Sequence, residues 1–340
     1  MPVNVPLISV VIPVLNEADC LSKLYEELRL VCDPLPYDFE FLFVDDGSTD
    51  QTGEMLAGLR QGDERICYLL LSRNFGHQAA LSAGLNHADG DAVIMMDGDL
   101  QHPPQLIPLL LECWRNGYDV VNTLRIETEG IHPFKRLCSS LFYRVFNWAA
   151  NISLKPGSAD FRLLARPVVN VLNELPERHR FLRGLIPWMG FRQTVVEFTA
   201  PCRWAGQSKY NFLRSLRFAL DGITAFSFYP LRRLTILGWL ITLASLLYGV
   251  YALTAHLLGR GTVPGWTSLL LCILFFGGCQ LLVAGVLGEY IGRILEQVKG
   301  RPLYISRESA GISSLNRDRS EPPGASRPWP PVIRVDRKAE

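Results

Sequence analysis

Ala92-Val93-Ile94-Met95-Met96-Asp97-Gly98-Asp99-Leu100-Gln101-His102-Pro103-Pro104 sets an apolar run directly against a pair of carboxylates. A short apolar run ended by a polar cluster reads as a buried strand that delivers its last residues to a loop. Pro103 and Pro104 then open a helix that runs to about Arg115. Two carboxylates one residue apart can hold a hard divalent cation, since Mg²⁺ takes one or two protein carboxylates and completes its shell with phosphate oxygens or water. Gly98 removes side-chain bulk where a ligand approaches. Solvated turns carry the same Asp-x-Asp spacing, so the flanking sequence decides.

Upstream, strands and helices alternate. Leu7–Val14, Phe39–Val44 and Ile66–Leu71 are apolar strands, and Tyr118–Thr123 is a fifth strand downstream. Between them Glu17–Cys32 is a helix with Leu21, Leu24, Leu28 and Val31 on one stripe, Asp50–Arg60 a helix capped by Asp50, and His77–His87 a third helix. This alternation predicts an α/β domain with a parallel sheet and right-handed crossovers, whose ligands sit at the carboxyl ends of the strands. Asn16-Glu17, Asp45-Asp46 and Asp97-Asp99 all fall at such ends.

Beyond residue 125 the pattern changes. His132–Trp148 carries an apolar stripe beside Lys135, Arg136 and Arg144. From Glu177 to Arg217 there are eight basic and two acidic residues. Phe212, Leu216, Leu220, Ile223 and Phe226 keep helical spacing opposite Arg214 and Arg217, which predicts an amphipathic helix over 211–230 at a membrane surface. Leu234–Leu258 and Trp266–Gly288 contain no Asp, Glu, Lys or Arg, and each has the roughly 20 residues that cross a bilayer. Arg232 and Arg233 precede the first span, and Arg293, Lys299 and Arg301 follow the second, so both flanks are expected in the cytoplasm. The chain thus divides into a catalytic domain over 1–210, the surface helix, a two-helix hairpin over 231–292, and a cytoplasmic tail over 293–340 that is disordered from about 313.

Composition narrows the function. Lys and Arg total 34 against 33 Asp and Glu, a net charge of +1, which excludes a nucleic-acid binder driven by bulk charge. The mean hydropathy of +0.14 fits a chain partly in lipid. The eight cysteines form no C-x-x-C pair and read as reduced thiols facing a cytosol. Met1–Pro6 shows no signal-peptide pattern, so the first domain is expected to stay in the cytoplasm. His77, His87, His102 and His132 show no metal-ligand spacing and read as surface or local hydrogen-bonding groups, and Glu289 as an interfacial acid.

Four motifs follow the first four strands in order: Pro13-x-x-Asn16-Glu17, Asp45-Asp46-Gly47-Ser48, Arg73-Asn74-Phe75-Gly76 and Asp97-Gly98-Asp99. With Gly157-Ser158-Ala159-Asp160-Phe161-Arg162, Arg203-x-x-Gly206-x-Ser208-Lys209-Tyr210 and the two spans, the chain over about 7–305 resembles the family 2 glycosyltransferases of GT-A fold. Within them it is most similar to the polyprenyl-phosphate sugar transferases, the dolichol-phosphate mannose synthases and bacterial undecaprenyl-phosphate glucosyltransferases.

The resemblance implies a Rossmann-like, mostly parallel sheet and a set of roles. Pro13, Glu17, Asp45 and Asp46 would hold the nucleotide of the donor, although Asp46 could instead cap the turn at Gly47-Ser48. Asp97, Asp99 and Gln101 would hold Mg²⁺ or Mn²⁺. Arg125, Lys135, Arg136, Ser140, Arg203 and Lys209 would face the acceptor phosphate, where arginine's planar fork suits bidentate contacts. Asp99, Asp160 and Arg125 would act in catalysis, with Asp160 either a base or an orienting group. The implied enzyme transfers one hexose from a nucleotide sugar, UDP-glucose foremost, to polyprenyl phosphate with inversion. It sits in the bacterial cytoplasmic membrane as a multi-pass homotetramer with its catalytic domain and both termini inside. GDP-mannose and UDP-N-acetylglucosamine are alternative donors, and an inactive scaffold or flippase partner is the non-enzymatic alternative. A processive synthase fits less well: its Q-x-x-R-W motif has Ala200 where Gln is required before Arg203-Trp204.

Overall fold

A computed structural model describes residues 5–126, 157–178, 180–199 and 265–312, with isolated positions between 236 and 258. The expected helices at 132–148 and 211–230 and the tail from 313 lie outside the described residues. So do Lys135, Arg136, Ser140, Arg203 and Lys209.

Strands β1 (Leu7–Val14), β2 (Asp38–Asp45), β3 (Ile66–Leu71) and β4 (Ala92–Met95) pair in parallel in the order β4-β1-β2-β3. Helices α1 (Ala18–Cys32), α2 (Thr52–Gly62) and α3 (His77–His87) connect them. Both faces of the sheet are covered, which is why β1 and β3 are continuous apolar runs rather than alternating ones. On one face α1 buries Leu21, Leu24 and Leu28 against Phe41 and Phe43. Each fully buried leucine contributes about 2 kcal/mol. On the other face α3 packs Ala80, Leu81 and Leu85 against Val11, Leu42 and Val44. Because Val14 pairs with Asp45 and Val11 with Met95, the four strands end at one edge of the sheet.

The structure departs from the expected bounds in instructive places. α2 begins at Thr52 rather than Asp50, because Asp50 Oδ1 accepts from Thr52 N–H (3.0 Å) in a turn ahead of the helix. Pro104–Leu106 form a 3₁₀ turn before α4 (Ile107–Arg115). β5 (Val120–Ile126) does not extend the parallel sheet directly. β6 (Ser158–Ala165) enters between β4 and β5, antiparallel to both, so the sheet is mixed. α5 (Arg166–Glu174) and α6 (Leu182–Trp188) bury Val168, Val169, Leu172, Leu182 and Leu185 on the α3 face, and β7 (Gln193–Thr199) pairs in parallel with β5.

α7 (Trp266–Val298) runs well past Gly288, where the apolar span was expected to end. Among the described residues it is the one helix long and apolar enough to cross a membrane. Its apolar side chains, Leu269, Ile273, Phe275, Leu281, Ile291 and Ile294 among them, are exposed. Ile236, Trp239 and Tyr251 in the earlier apolar stretch are helical and exposed too, but the full hairpin is not described. Part of the expected tail is also ordered into the domain: β8 (Ser306–Ala310) pairs antiparallel with β3 and completes the order β7-β5-β6-β4-β1-β2-β3-β8.

Candidate active site

The loops after β1, β2 and β3 are stitched together by side chains. Asn16 holds a left-handed backbone (φ +54°), its N–H donates to Ser48 Oγ (2.8 Å) and its Oδ1 accepts from Thr49 N–H (2.8 Å). Glu17 N–H donates to Thr52 Oγ1 (3.1 Å). Gly47 lets the second loop touch the third: at φ +76°, a Cβ there would lie 2.4 Å from the Arg73 carbonyl carbon. Asp45 and Asp46 divide the work differently from the expectation. Asp45 Oδ1 accepts from Ser48 N–H (2.9 Å) and so caps the turn itself. Asp46 reaches across to the third loop, accepting from Phe75 N–H (2.7 Å) and Gly76 N–H (3.0 Å). Burial pushes the Asp46 carboxyl up, and these two N–H groups only partly offset it.

The Asp97-Gly98-Asp99 loop is held from behind. Asp97 N–H donates to His102 Nδ1 (2.9 Å), and the His102 ring stacks on Phe161 at 5.2 Å. Gln101 N–H donates to Asp99 Oδ1 (3.1 Å). Gly98 packs against β1, where a Cβ would come within 2.8 Å of Val14 Cγ1. In front, Asp97 Oδ1 is buried and accepts no hydrogen bond.

β6 brings Asp160 alongside. Met95 pairs with Arg162, so the antiparallel register carried two residues further sets Asp160 opposite Asp97. His77, at the first turn of α3, lies between them, its Nε2 3.5 Å from Asp97 Oδ1 and 3.5 Å from Asp160 Oδ2. Asp160 is buried and receives both arms of Arg183 from α6, Nε and Nη2 each at 2.8 Å, with Arg162 Nη2 at 3.6 Å. Burial alone would raise the Asp160 pKa. Arg183, His77 and Arg162 together hold it well below the usual carboxylate range. Burial likewise opposes the His77 imidazolium, but Asp160 and Asp97 outweigh it and raise its pKa. Burial pushes Arg162 down to about 10, against the attraction of Asp160.

These groups face a cleft of about 950 Å³. Pro13, Glu17, Asp46, Asp97, Asp99 and Asp160, all singled out in the sequence, line it. Asp45 is buried in its turn, Arg125 is exposed on β5, and neither of them nor Gln101 is among the described residues lining the cleft. The lining also contains Arg178, which the sequence left evenly balanced between phosphate and lipid headgroups, and His77, Arg180, Arg183 and Arg293, which sequence reasoning did not place there. His77 was expected to be a surface or local group. The stretch Glu177–Arg217 was visible as a basic patch, but the pairing of Arg183 with Asp160, 23 positions away on another element, leaves no local signature.

Among the described residues no three His, Cys, Asp or Glu side chains form a ready metal cage. The donor set nevertheless suits a hard cation. Asp97 presents a buried carboxylate oxygen without a hydrogen bond, Asp99 is next to it, and phosphate oxygens commonly complete such a shell.

Residues 9–164 match the sequence profile of glycosyl transferase family 2. The chain is 44% identical over 308 residues to an uncharacterized glycosyltransferase of Synechocystis, covering 91% of this chain and 97% of that one. It is 42% identical over 302 residues to the SfII prophage-derived bactoprenol glucosyl transferase of Shigella flexneri, covering 89% and 98%. Among solved structures it is similar to glucosyl-3-phosphoglycerate synthase from Mycobacterium tuberculosis, at 20% identity and a TM-score of 0.43 over 64% of this chain and 78% of that one. The mostly parallel sheet with helices on both faces is the GT-A arrangement that the motifs implied.

Proposed function

The chain belongs to glycosyl transferase family 2, and from that premise we propose that it moves a single hexose from a nucleotide sugar, UDP-glucose, to polyprenyl phosphate at the cytoplasmic face of a bacterial membrane. One observation carries the reading: Asp97 Oδ1 is buried, accepts no hydrogen bond and has His77 Nε2 3.5 Å away, in a cleft lined by the strand-end loops and by arginines. The bactoprenol glucosyl transferases among its relatives favour glucose and a polyprenyl acceptor.

In this reading Pro13, Glu17 and the loop clamped by Asp46 receive the nucleotide. Asp97 and Asp99 would hold a divalent cation, Mg²⁺ or Mn²⁺, whose chemistry is to neutralise the diphosphate leaving group. His77 stands at the same edge, its Nε2 3.5 Å from both Asp97 Oδ1 and Asp160 Oδ2. An acceptor phosphate oxygen attacks the anomeric carbon as the bond to the diphosphate breaks, which inverts that carbon. A phosphate monoester has its second pKa near ~6 and is largely dianionic at neutral pH, so no proton must be removed. Asp160 therefore serves as an orienting carboxylate: Arg183 occupies both its oxygens, and a pKa far below neutrality makes it a poor base. The protein's contribution is positioning and charge stabilisation. α7 and the apolar stretch Leu234–Leu258 support a two-span anchor, with the domain and both termini on the cytoplasmic side.

The test is to incubate the detergent-solubilised chain with undecaprenyl phosphate, Mg²⁺ or Mn²⁺ and a panel of UDP- and GDP-sugars, reading glycolipid by mass spectrometry. The expected result is one product carrying one hexose from UDP-glucose, absent in an Asp97→Asn, Asp99→Asn double variant. Folded protein that binds UDP yet yields no product with any donor would overturn the reading.

A further inference from the structure

The arginines of the cleft fall into two kinds. Arg183 is committed to Asp160, and Arg293 pairs with Glu289 one turn earlier on α7 (3.1 Å). Arg178 and Arg180 form no ion pair among the described residues. Their backbone contacts hold them in place but leave one arm of each unused. Arg180 donates from Nη2 to Leu175 O (2.8 Å) and from Nε to Glu177 O (3.3 Å), while its Nη1 is buried with no partner. Arg178 donates from Nη2 to Pro302 O (3.4 Å), and its Nη1 is likewise buried and unpartnered. A buried guanidinium nitrogen without an acceptor is costly, and the cost is removed when an oxyanion enters.

The position of these two residues says which oxyanion. The segment that carries them is fastened to the end of the apolar helix. Arg178 N–H donates to Gln297 Oε1 (3.0 Å), and Gln297 Nε2 donates to Pro176 O (2.7 Å). Arg293 and Leu303, just before and just after the end of α7, line the same cleft. A phosphate tethered to an apolar chain that runs beside α7 would meet this corner first. A nucleotide, by contrast, is received at the strand-end loops around Pro13 and Glu17.

We propose that Arg178 and Arg180, with Arg293 beside them, form an oxyanion subsite at the foot of α7 that takes the phosphate of the lipid-linked acceptor. This rests on the transferase reading for its ligand, and it adds residues to the reaction that the family motifs do not include. Arg178 and Arg180 would each offer the phosphate the buried Nη1 that makes no hydrogen bond among the described residues, in the cleft that Asp97, Asp99, Asp160 and Arg183 also line.

The test uses the full chain in detergent, with farnesyl phosphate as a short soluble acceptor and UDP with Mn²⁺ as the donor probe. Affinities for both are measured by calorimetry in wild type, Arg178→Gln, Arg180→Gln and Arg180→Lys, each first checked for an unchanged melting temperature. Each Gln variant is expected to bind farnesyl phosphate about tenfold or more weakly, the value of one lost charge-assisted hydrogen bond. UDP affinity should change less than about twofold, and Arg180→Lys should recover part of the loss. Arg178 supplies the second variant because its side chain makes only one long backbone contact. Unchanged farnesyl phosphate affinity in both Gln variants overturns the subsite. A loss confined to UDP also overturns it, by giving the arginines to the donor's diphosphate. Failure of the function proposed above looks different: wild type would bind farnesyl phosphate through these arginines and form no glycolipid.

Discussion

Asp63 shows how single side chains tie this domain together away from the cleft. Its carboxylate accepts from Arg65 N–H (2.9 Å), from the Arg65 guanidinium (2.8 Å) and from Tyr25 Oη–H (2.8 Å). Those hydrogen bonds, Arg65 foremost, hold its pKa at about 2. A depressed carboxylate pKa stabilises the fold above the unfolded value near ~3.9 and loses that contribution as pH falls towards the folded value. Asp63→Asn should therefore cost about 1–2 kcal/mol at pH 7, discounted for the partly exposed arginine, and almost nothing near pH 2, which denaturant melts at the two pH values will check. Gly47→Ala should cost about 2–4 kcal/mol, because a Cβ at φ +76° collides with the Arg73 backbone, a change readable in the midpoint of the same melts. At this scale Asp97, Asp99, Glu17 and Asp46 were legible as strand-end carboxylates, and the structure places all four in the lining of the cleft. The sequence could not announce Arg183 or the use of His77, because their partners come from β4 and β6 and meet only when the sheet closes. Asp45 and Asp46 were legible as a pair, but which of two adjacent carboxylates turns inward is a matter of backbone direction that composition does not carry.

Elements were read well where hydrophobic pattern and topology agree. β1, β3 and α3 match their expected bounds because a two-sided buried strand and a helix after a glycine are both strong local signals. β6 and β8 escaped notice for different reasons. β6 holds Asp160 and Arg162 inside an apolar sheet, and their mutual neutralisation hides a strand behind a polar motif. β8, Ser306–Ala310, has no apolar alternation at all, and it is a strand because β3 offers a free edge. Its attachment is specific: Ser72 N–H donates to Ile305 O (2.8 Å), Tyr68 Oη–H to Glu308 Oε1 (3.0 Å), and Tyr304 Oη meets His87 Nε2 at 3.1 Å. Ending the chain after Arg301 should uncover β3, whose six residues Ile66–Leu71 are all buried, and an uncovered apolar edge templates association. Size-exclusion chromatography of the detergent-solubilised truncation should show a shift to large aggregates, and an elution profile like that of the full chain would show that β8 is not needed to cover this edge.

The molecule as a whole joins an apolar helix to a polar cleft without an intervening linker. α7 continues from its apolar stretch through Glu289 and Arg293 to Val298, and Gln297 then grips the segment that carries Arg178. Membranes from expressing cells should keep the chain in the pellet after extraction at alkaline pH, whereas release into the supernatant would count against α7 as an anchor. A direct join of this kind bears on the arithmetic of encounter. A cleft held at fixed height above a bilayer does not sample the cell volume for a lipid-borne partner. On the proposed reading, encounters would be counted per unit of surface, and an anchoring helix would confine both reactants to the same thin layer, so that a scarce acceptor is met at a high effective concentration. On that reading, detaching the cleft from the layer would leave each contact intact and still slow the reaction, because geometry rather than affinity would bring the two substrates together.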